Sequence, residues 1–287
     1  MVDLALSILF SSLIFIIFKL YALYRVQTPY AIVFNYIVAC VVGLLFYDGK
    51  ILPGEIAEKS WFPATLMLGA LFIAVFNLMA LTSQKMGVSV ASVATKMSLA
   101  IPVLFGVALY NEHLGAIKVI GVLLALAAVY FSSVKDPGIT LAKKELVLPL
   151  LVFLGSGVID ASIKFLEETR VPAKEFPLFS ATVFAAAAAT GLVFMLVRSF
   201  RGSPGMHFRD LVGGVALGIP NFFSIYFILK SLQHETLNSA SVFTINNVAI
   251  VMLTTLLGIL LFKEKISRLN WGGIALAVIS IFLVALF

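Results

Sequence analysis

The sequence predicts an all-α integral membrane protein of ten transmembrane helices, built as two inverted five-helix repeats. Three observations predict it. The 287 residues are 61% hydrophobic and only 12% charged, with mean hydropathy +1.10, whereas an average soluble domain carries roughly a quarter charged residues. The apolar residues are gathered into long runs divided by short loops. The two halves of the chain match each other at fixed offsets.

A soluble globule of this composition would expose apolar area far beyond normal patch sizes. Disorder and a disulfide scaffold are excluded by the same figures. Cys40 is the only cysteine, and in an apolar run it reads as a small packing residue. The net charge of +6 does not imply nucleic acid, because no basic run interleaves with aromatics as a strand-binding groove requires.

The ten spans lie at 4–24, 29–47, 62–83, 88–110, 116–134, 146–167, 174–198, 210–231, 237–262 and 268–287. Each is near the ~20 residues that cross a bilayer core as a helix. The first lacks a basic start and a small-residue cleavage site, so it reads as a span and not a removed signal; it carries Lys19 near its end. The second holds Asn35 and Cys40, and the third Asn77. The fourth opens with the small-residue run Gly87-Val-Ser-Val-Ala-Ser and contains Lys96 and Pro102. Gly121 falls in the fifth, and Gly155, Gly157, Asp160 and Lys164 in the sixth. The seventh is rich in alanine, and the eighth holds Gly213, Gly214, Gly218, Pro220, Asn221, Phe222 and Tyr226. The ninth brings Ser239, Ala240 and the adjacent Asn246 and Asn247, and the tenth Gly273. Small residues mark close helix approach, and each proline frees a carbonyl and permits a bend. A barrel would read instead as about ten-residue alternating strands. The longest loops, Asp48 to Trp61 and Lys135 to Glu145, contain Pro-Gly turns. No soluble domain fits between spans, so any chemistry takes place in or near the membrane.

The repeat is read from aligned residues. Tyr110 to Leu114 (Tyr-Asn-Glu-His-Leu) matches Phe262 to Ile266 (Phe-Lys-Glu-Lys-Ile) at an offset of 152, which also puts Gly121 on Gly273. At an offset of 145, Ser11 meets Ser156, Lys19 meets Lys164, Arg25 meets Arg170 and Phe34 meets Phe179. The repeats are 1–136 and 145–287. Five spans are an odd number, so the second half enters the membrane with opposite orientation. Such halves give two states of similar energy, open to opposite sides, with the substrate site near the midplane.

On these residues the chain resembles the drug/metabolite transporter superfamily, in its ten-span EamA-type branch. The resemblance covers the whole chain and rests on the five-plus-five arrangement, Glu112 and Glu264 closing the fourth span of each half, Gly121 and Gly273, the Gly87 small-residue run and Pro102. It implies a secondary transporter of metabolites with cytoplasmic termini. The second half departs from the pattern, with Thr254 at the place of Pro102.

Four ionisable side chains fall well inside spans: Lys19, Lys96, Asp160 and Lys164. Such residues cost about 2.5–3.5 kcal/mol on insertion scales and face a cavity or a partner. Lys96 and Asp160 enter from opposite faces to depths of ~12 and ~10 Å, which puts both close to the midplane. Lys19 and Lys164 are shallower, and their alternative is snorkelling to the headgroups. The alternative for Asp160 is an i,i+4 pair with Lys164. Asn77, Asn221, Asn246 and Tyr226, with Asn35, Asn247 and Phe222, are a second layer able to bind carboxylate, phosphate or hydroxyls or to stack on a flat substrate; the alternatives are interhelical glue and core packing. Glu112 and Glu264 are expected to terminate helices and pair with Lys118 or with Lys263 and Lys265.

Absences narrow the class. There is no GxxxxGK[ST] loop for an ATP-driven pump and no HExxH for a zinc protease, and Asp160 is the only Asp in a span interior. His113, His207 and His234 lie in loops or at span ends, away from any nucleophile at depth. The first span holds no buried acid of the kind small multidrug exporters use, which argues against organic cations. The expectation is therefore a non-enzymatic secondary transporter without cofactor or metal. Its cargo is a small polar metabolite with an anionic group, because three lysines against one aspartate would give a cavity of +2 if all faced it. The runner-up cargo is a zwitterionic amino acid held by Asp160 and Lys96. The partners are that metabolite, the lipid bilayer, and protons or a counter-substrate, with the protein a monomer or weak homodimer. The competing class is a membrane scaffold or intramembrane enzyme. The location is the inner (plasma) membrane, with both termini on one side. Loops after odd spans carry eleven basic residues and those after even spans six, so the positive-inside rule puts the termini outside; the resemblance implies cytoplasmic termini, and these are the expectation.

Overall fold

The computed structural model describes residues 1–47, 53–110, 115–134, 143–172, 175–200, 205–232 and 239–286. They fold into twelve α-helices: α1 (Val2–Leu23), α2 (Thr28–Leu45), α3 (Pro53–Glu58), α4 (Phe62–Met86), α5 (Val88–Met97), α6 (Ala100–Tyr110), α7 (Ala116–Ser133), α8 (Lys143–Thr169), α9 (Phe176–Phe200), α10 (Phe208–Leu232), α11 (Ser239–Phe262) and α12 (Arg268–Leu286). No strand occurs among the described residues. Nine helical stretches among them are long and apolar enough to cross a membrane, with α5 and the start of α6 taken together as Val88–Phe105; Arg268–Val284 of α12 is apolar but shorter.

Polarity is reversed relative to a soluble protein. Leu123, Val193, Leu196, Leu256 and Leu260 are exposed, while Ser7, Asn35, Ser92 and Thr254 are completely buried. An apolar exterior of this extent is stable against lipid and not against water, and helices satisfy every backbone group within the segment, as lipid demands. The chain is a multi-pass membrane protein.

Helix starts follow local chemistry. Proline occupies the first turn of α2 and of α4, where its missing N–H costs nothing. α12 opens with a reciprocal cap: the Ser267 N–H donates to Asn270 Oδ1 and the Asn270 N–H to Ser267 Oγ, each at 3.2 Å. The Asn270 amide then reaches the carbonyls of Phe131, Ser132 and Val134 at 2.7–3.1 Å, tying α12 to the otherwise unpaired end of α7.

α7 and α12 pack along each other, and the two repeat-matched glycines face that seam. A Cβ on Gly121 would sit 2.7 Å from Val284 Cγ2, and one on Gly273 would strike the backbone of Ser132. α2 lies against α9 and α10, α4 against α8 and α9, and α1 against α10 and α11. α5 is the hub, touching α1, α4, α7, α8, α11 and α12. Val88 to Ala94 are buried without interruption, which the small side chains Ser89, Ala91, Ser92 and Ala94 make possible.

One end of the bundle is fastened by a polar latch. Lys59 Nζ donates to Glu175 Oε1 at 2.6 Å and Trp61 Nε1 donates to Glu175 Oε2 at 2.8 Å. The Lys59 hydrogen bond, then that of Trp61, holds the Glu175 carboxyl below its usual range, and the same bond raises the Lys59 ammonium. A lowered carboxyl stabilises the fold above its ordinary value, and that contribution is lost as pH falls through the lowered one. The raised ammonium stabilises below its ordinary value and loses this as pH rises through the raised one. In a Trp271→Phe background, Trp61 emission is therefore expected to hold steady between about pH 5 and 10 and to shift red on acidification. Glu175→Ala removes that transition and leaves the buried indole N–H unpaired, at a cost of about 1–3 kcal/mol. Unchanged emission in the variant contradicts the latch.

Candidate functional site

The fourth span is not one helix. α5 ends at Met97, Ser98 and Leu99 form a turn, and α6 begins at Ala100. The cause is Pro102. It has no N–H for the carbonyl four residues back, that of Ser98, and its ring crowds that oxygen. The Ser98 carbonyl accepts from the Ile101 N–H instead, at 2.9 Å, in a tighter turn. At the matching place in the second half, Thr254 sits inside an unbroken α11. Its hydroxyl contacts its own Ile250 carbonyl and Ser92 Oγ of α5, both at 2.7 Å.

The break lies beside Lys96 and Asp160. Lys96 is in the last turn of α5, where the helix dipole favours a cation. Ser98 Oγ is 2.6 Å from the Thr95 carbonyl and 3.1 Å from Asp160 Oδ2 of α8, so its single hydrogen serves two acceptors. Lys96 and Asp160 interact electrostatically without an ion pair within 4.0 Å. Asp160 has exposed surface, yet it does not face lipid. The lipid stripe of α8 runs through Val147, Leu150, Leu151, Leu154, Val158 and Phe165, and Asp160 lies about 140° around the helix from it at ~100° per residue. An open carboxylate on the inward side, within reach of an ammonium and at a helix break, is an arrangement that holds a small charged group.

The other residues singled out in the sequence lie elsewhere. Lys164 pairs with Glu168 at 3.8 Å, one turn on, and not with Asp160. Lys19 Nζ donates to the Gln84 carbonyl at 3.1 Å and faces Glu264 Oε1 at 3.8 Å. Asn77 bonds the Ile73 carbonyl of its own helix at 2.8 Å. Asn221 donates to Asn35 Oδ1 at 3.1 Å, joining α10 to α2. Asn246 Oδ1 lies 3.1 Å from Ser7 Oγ, joining α11 to α1. Tyr226 packs in a cluster with Phe46, Phe222, Phe223 and Phe227. Of the eight, the structure brings together Lys96 and Asp160.

Glu264 has a different role from the expected one. Its Oε1 accepts from the Val88 N–H at 2.8 Å and its Oε2 lies 3.3 Å from Ser89 Oγ, so it caps α5 from across the molecule and does not pair with Lys263 or Lys265. Gly87 makes room for it: φ is +115°, and a Cβ there would be 2.9 Å from Glu264 Oε2. Glu112 lies outside the described residues. Sequence reasoning missed Ser98; its only signal was a hydroxyl two residues after Lys96 and four before Pro102. Among the described residues no cluster of three or more His, Cys, Asp or Glu could hold a metal ion.

No family model matches the chain. A solved crystal structure of another protein superposes with TM-score 0.59 at 18% identity, over 98% of this chain and 96% of that one, a likeness of fold alone. An uncharacterized protein of Haemophilus influenzae is 30% identical over 286 residues, which is 98% of this chain and 96% of that protein. With that identity sustained from end to end, the chain belongs to the family of this Haemophilus influenzae protein.

Proposed function

We propose that this protein is a secondary transporter of the drug/metabolite transporter kind, moving a small zwitterionic metabolite of the amino-acid class by alternating access. The observation that carries the reading is the interruption of the fourth span beside Lys96, Ser98 and Asp160. Broken helices at membrane depth are tolerated where they line a cavity, and in transporters they form the substrate site. Asp160 takes the ammonium of the substrate and Lys96 its carboxylate. The anionic cargo expected from a +2 cavity gives way here, because Lys19 and Lys164 are engaged by Glu264 and Glu168. That leaves one positive and one negative group at the site, and a neutral site favours a neutral, dipolar substrate.

Ten spans in two inverted repeats fit the packing. Exchanging α1, α2, α4, α5 and α7 with α8, α9, α10, α11 and α12 turns the α1–α10 contact into α8–α4, α2–α10 into α9–α4, α1–α11 into α8–α5, and α5–α7 into α11–α12; each of these contacts exists. The ends of α1, α4, α7 and α11 also meet at one cavity, as odd spans of an alternating bundle do. Counterflow in proteoliposomes tests the reading against a scaffold. Saturable exchange of a zwitterionic amino acid is expected, with an organic cation not exchanged. No exchange of any zwitterion, or preference for an anion or for the cation, rules the proposal out.

A further inference from the structure

A cavity of about 170 Å³ lies where the ends of α1, α4, α7 and α11 meet the start of α12. Its lining includes Lys19, Lys85, Lys265, Ser89, Glu264 and Asn270. Three ammoniums against one carboxylate give it a charge of +2. Glu264 is already occupied by the Val88 N–H, Ser89 and Lys19. Lys85 and Lys265 have no carboxylate partner among the described residues, and both are exposed. Lys85 is in the last turn of α4 and Lys265 three residues beyond α11, so both ammoniums stand at the level where a span leaves the hydrocarbon core. This is also the face to which the loops after odd spans belong, the more basic of the two.

We propose that this cavity binds a phosphate group, with Lys85 and Lys265 as its principal ligands. The volume exceeds what a single carboxylate fills, and two unpaired ammoniums from separate elements suit a tetrahedral anion with several acceptor oxygens. Basic pockets between membrane helices at the interface take lipid headgroups in this way. The bound phosphate bridges the end of α4 in the first half to the α11–α12 turn in the second. The site does not depend on the transport reading: the cavity and its charge are the same if the central site carries nothing.

The test uses the full chain purified in a neutral detergent. Melting temperature and native mass spectrometry are recorded with phosphatidylglycerol, with phosphatidylcholine, and with inorganic phosphate. Lys85→Gln/Lys265→Gln is compared with Arg198→Gln/Arg209→Gln, which removes two basic groups outside the cavity. Phosphatidylglycerol is expected to raise the melting temperature of the wild type and of the arginine variant. It should bind the lysine variant roughly thirty-fold more weakly, the effect of losing two basic groups at a membrane surface. Stabilisation by phosphatidylglycerol without inorganic phosphate identifies a lipid headgroup as the source; stabilisation by millimolar phosphate as well identifies free phosphate as a ligand. Equal binding by the lysine and arginine variants, or no binding of either ligand by the wild type, overturns the proposal. Mass spectrometry counts bound lipid directly, so a lower starting stability of a variant does not obscure the result.

Discussion

Asp160→Asn is expected to reduce transport by about ten- to a hundred-fold, because a hydrogen bond to a charged partner is worth about 1.5–3 kcal/mol. The substitution keeps the shape beside Ser98 and removes the charge that attracts a substrate ammonium. It also leaves the half-buried Lys96 without its nearby counter-charge, which is costly in itself. Lys96→Met/Asp160→Asn separates the two effects. The double variant is expected to regain the wild-type melting temperature and remain without transport, since neither charge is left uncompensated and neither can hold a zwitterion. Initial rates normalised to monodisperse protein provide the measurement. A double variant that transports at the wild-type rate removes the pair from the mechanism.

Glu264→Ala is expected to have the second largest effect, on conformation and not on substrate recognition. The carboxylate caps α5 and holds Lys19, and α5 carries Lys96 at its other end. Loss of a helix cap costs about 1–2 kcal/mol. An equilibrium between closed and open arrangements of this face should move by about ten-fold. Val90, buried on α5 and lining the adjacent cavity, reports the change. In a Cys40→Ala background, Val90→Cys should react with a membrane-impermeant thiol reagent about ten-fold faster when Glu264 is replaced. Equal rates would show that the cap does not restrain the face.

The membrane fold was legible because apolar runs of this length have one physical reading, whatever their periodicity. The site was legible in part. Lys96 and Asp160 could be brought together by depth alone, since 1.5 Å per residue from opposite faces fixes their levels. Lys164 had a partner in plain view, Glu168 four residues on, but Asp160, also four residues away, competed for it on paper. The engagement of Lys19 was not legible, because Glu264 comes from the far end of the chain and reaches it only once α11 has folded against α5. The break at Ser98 was half visible: Pro102 announced a bend, and the structure identifies the carbonyl it strands and the carboxylate that the neighbouring hydroxyl meets. The same proline explains why the halves differ, since Thr254 keeps α11 continuous.

The most direct test of the central claim is the accessibility of the break from the two sides of the membrane. Thr95 is half-buried on α5, next to Lys96, and its carbonyl contacts the Ser98 hydroxyl. In a Cys40→Ala background, Thr95→Cys is placed in sealed vesicles of each orientation and treated with a membrane-impermeant thiol reagent. Alternating access predicts labelling from both sides, slowed in each case by the exchanged zwitterion. Labelling from one side only, or labelling that the substrate does not slow, would contradict a central site that opens in turn to each face.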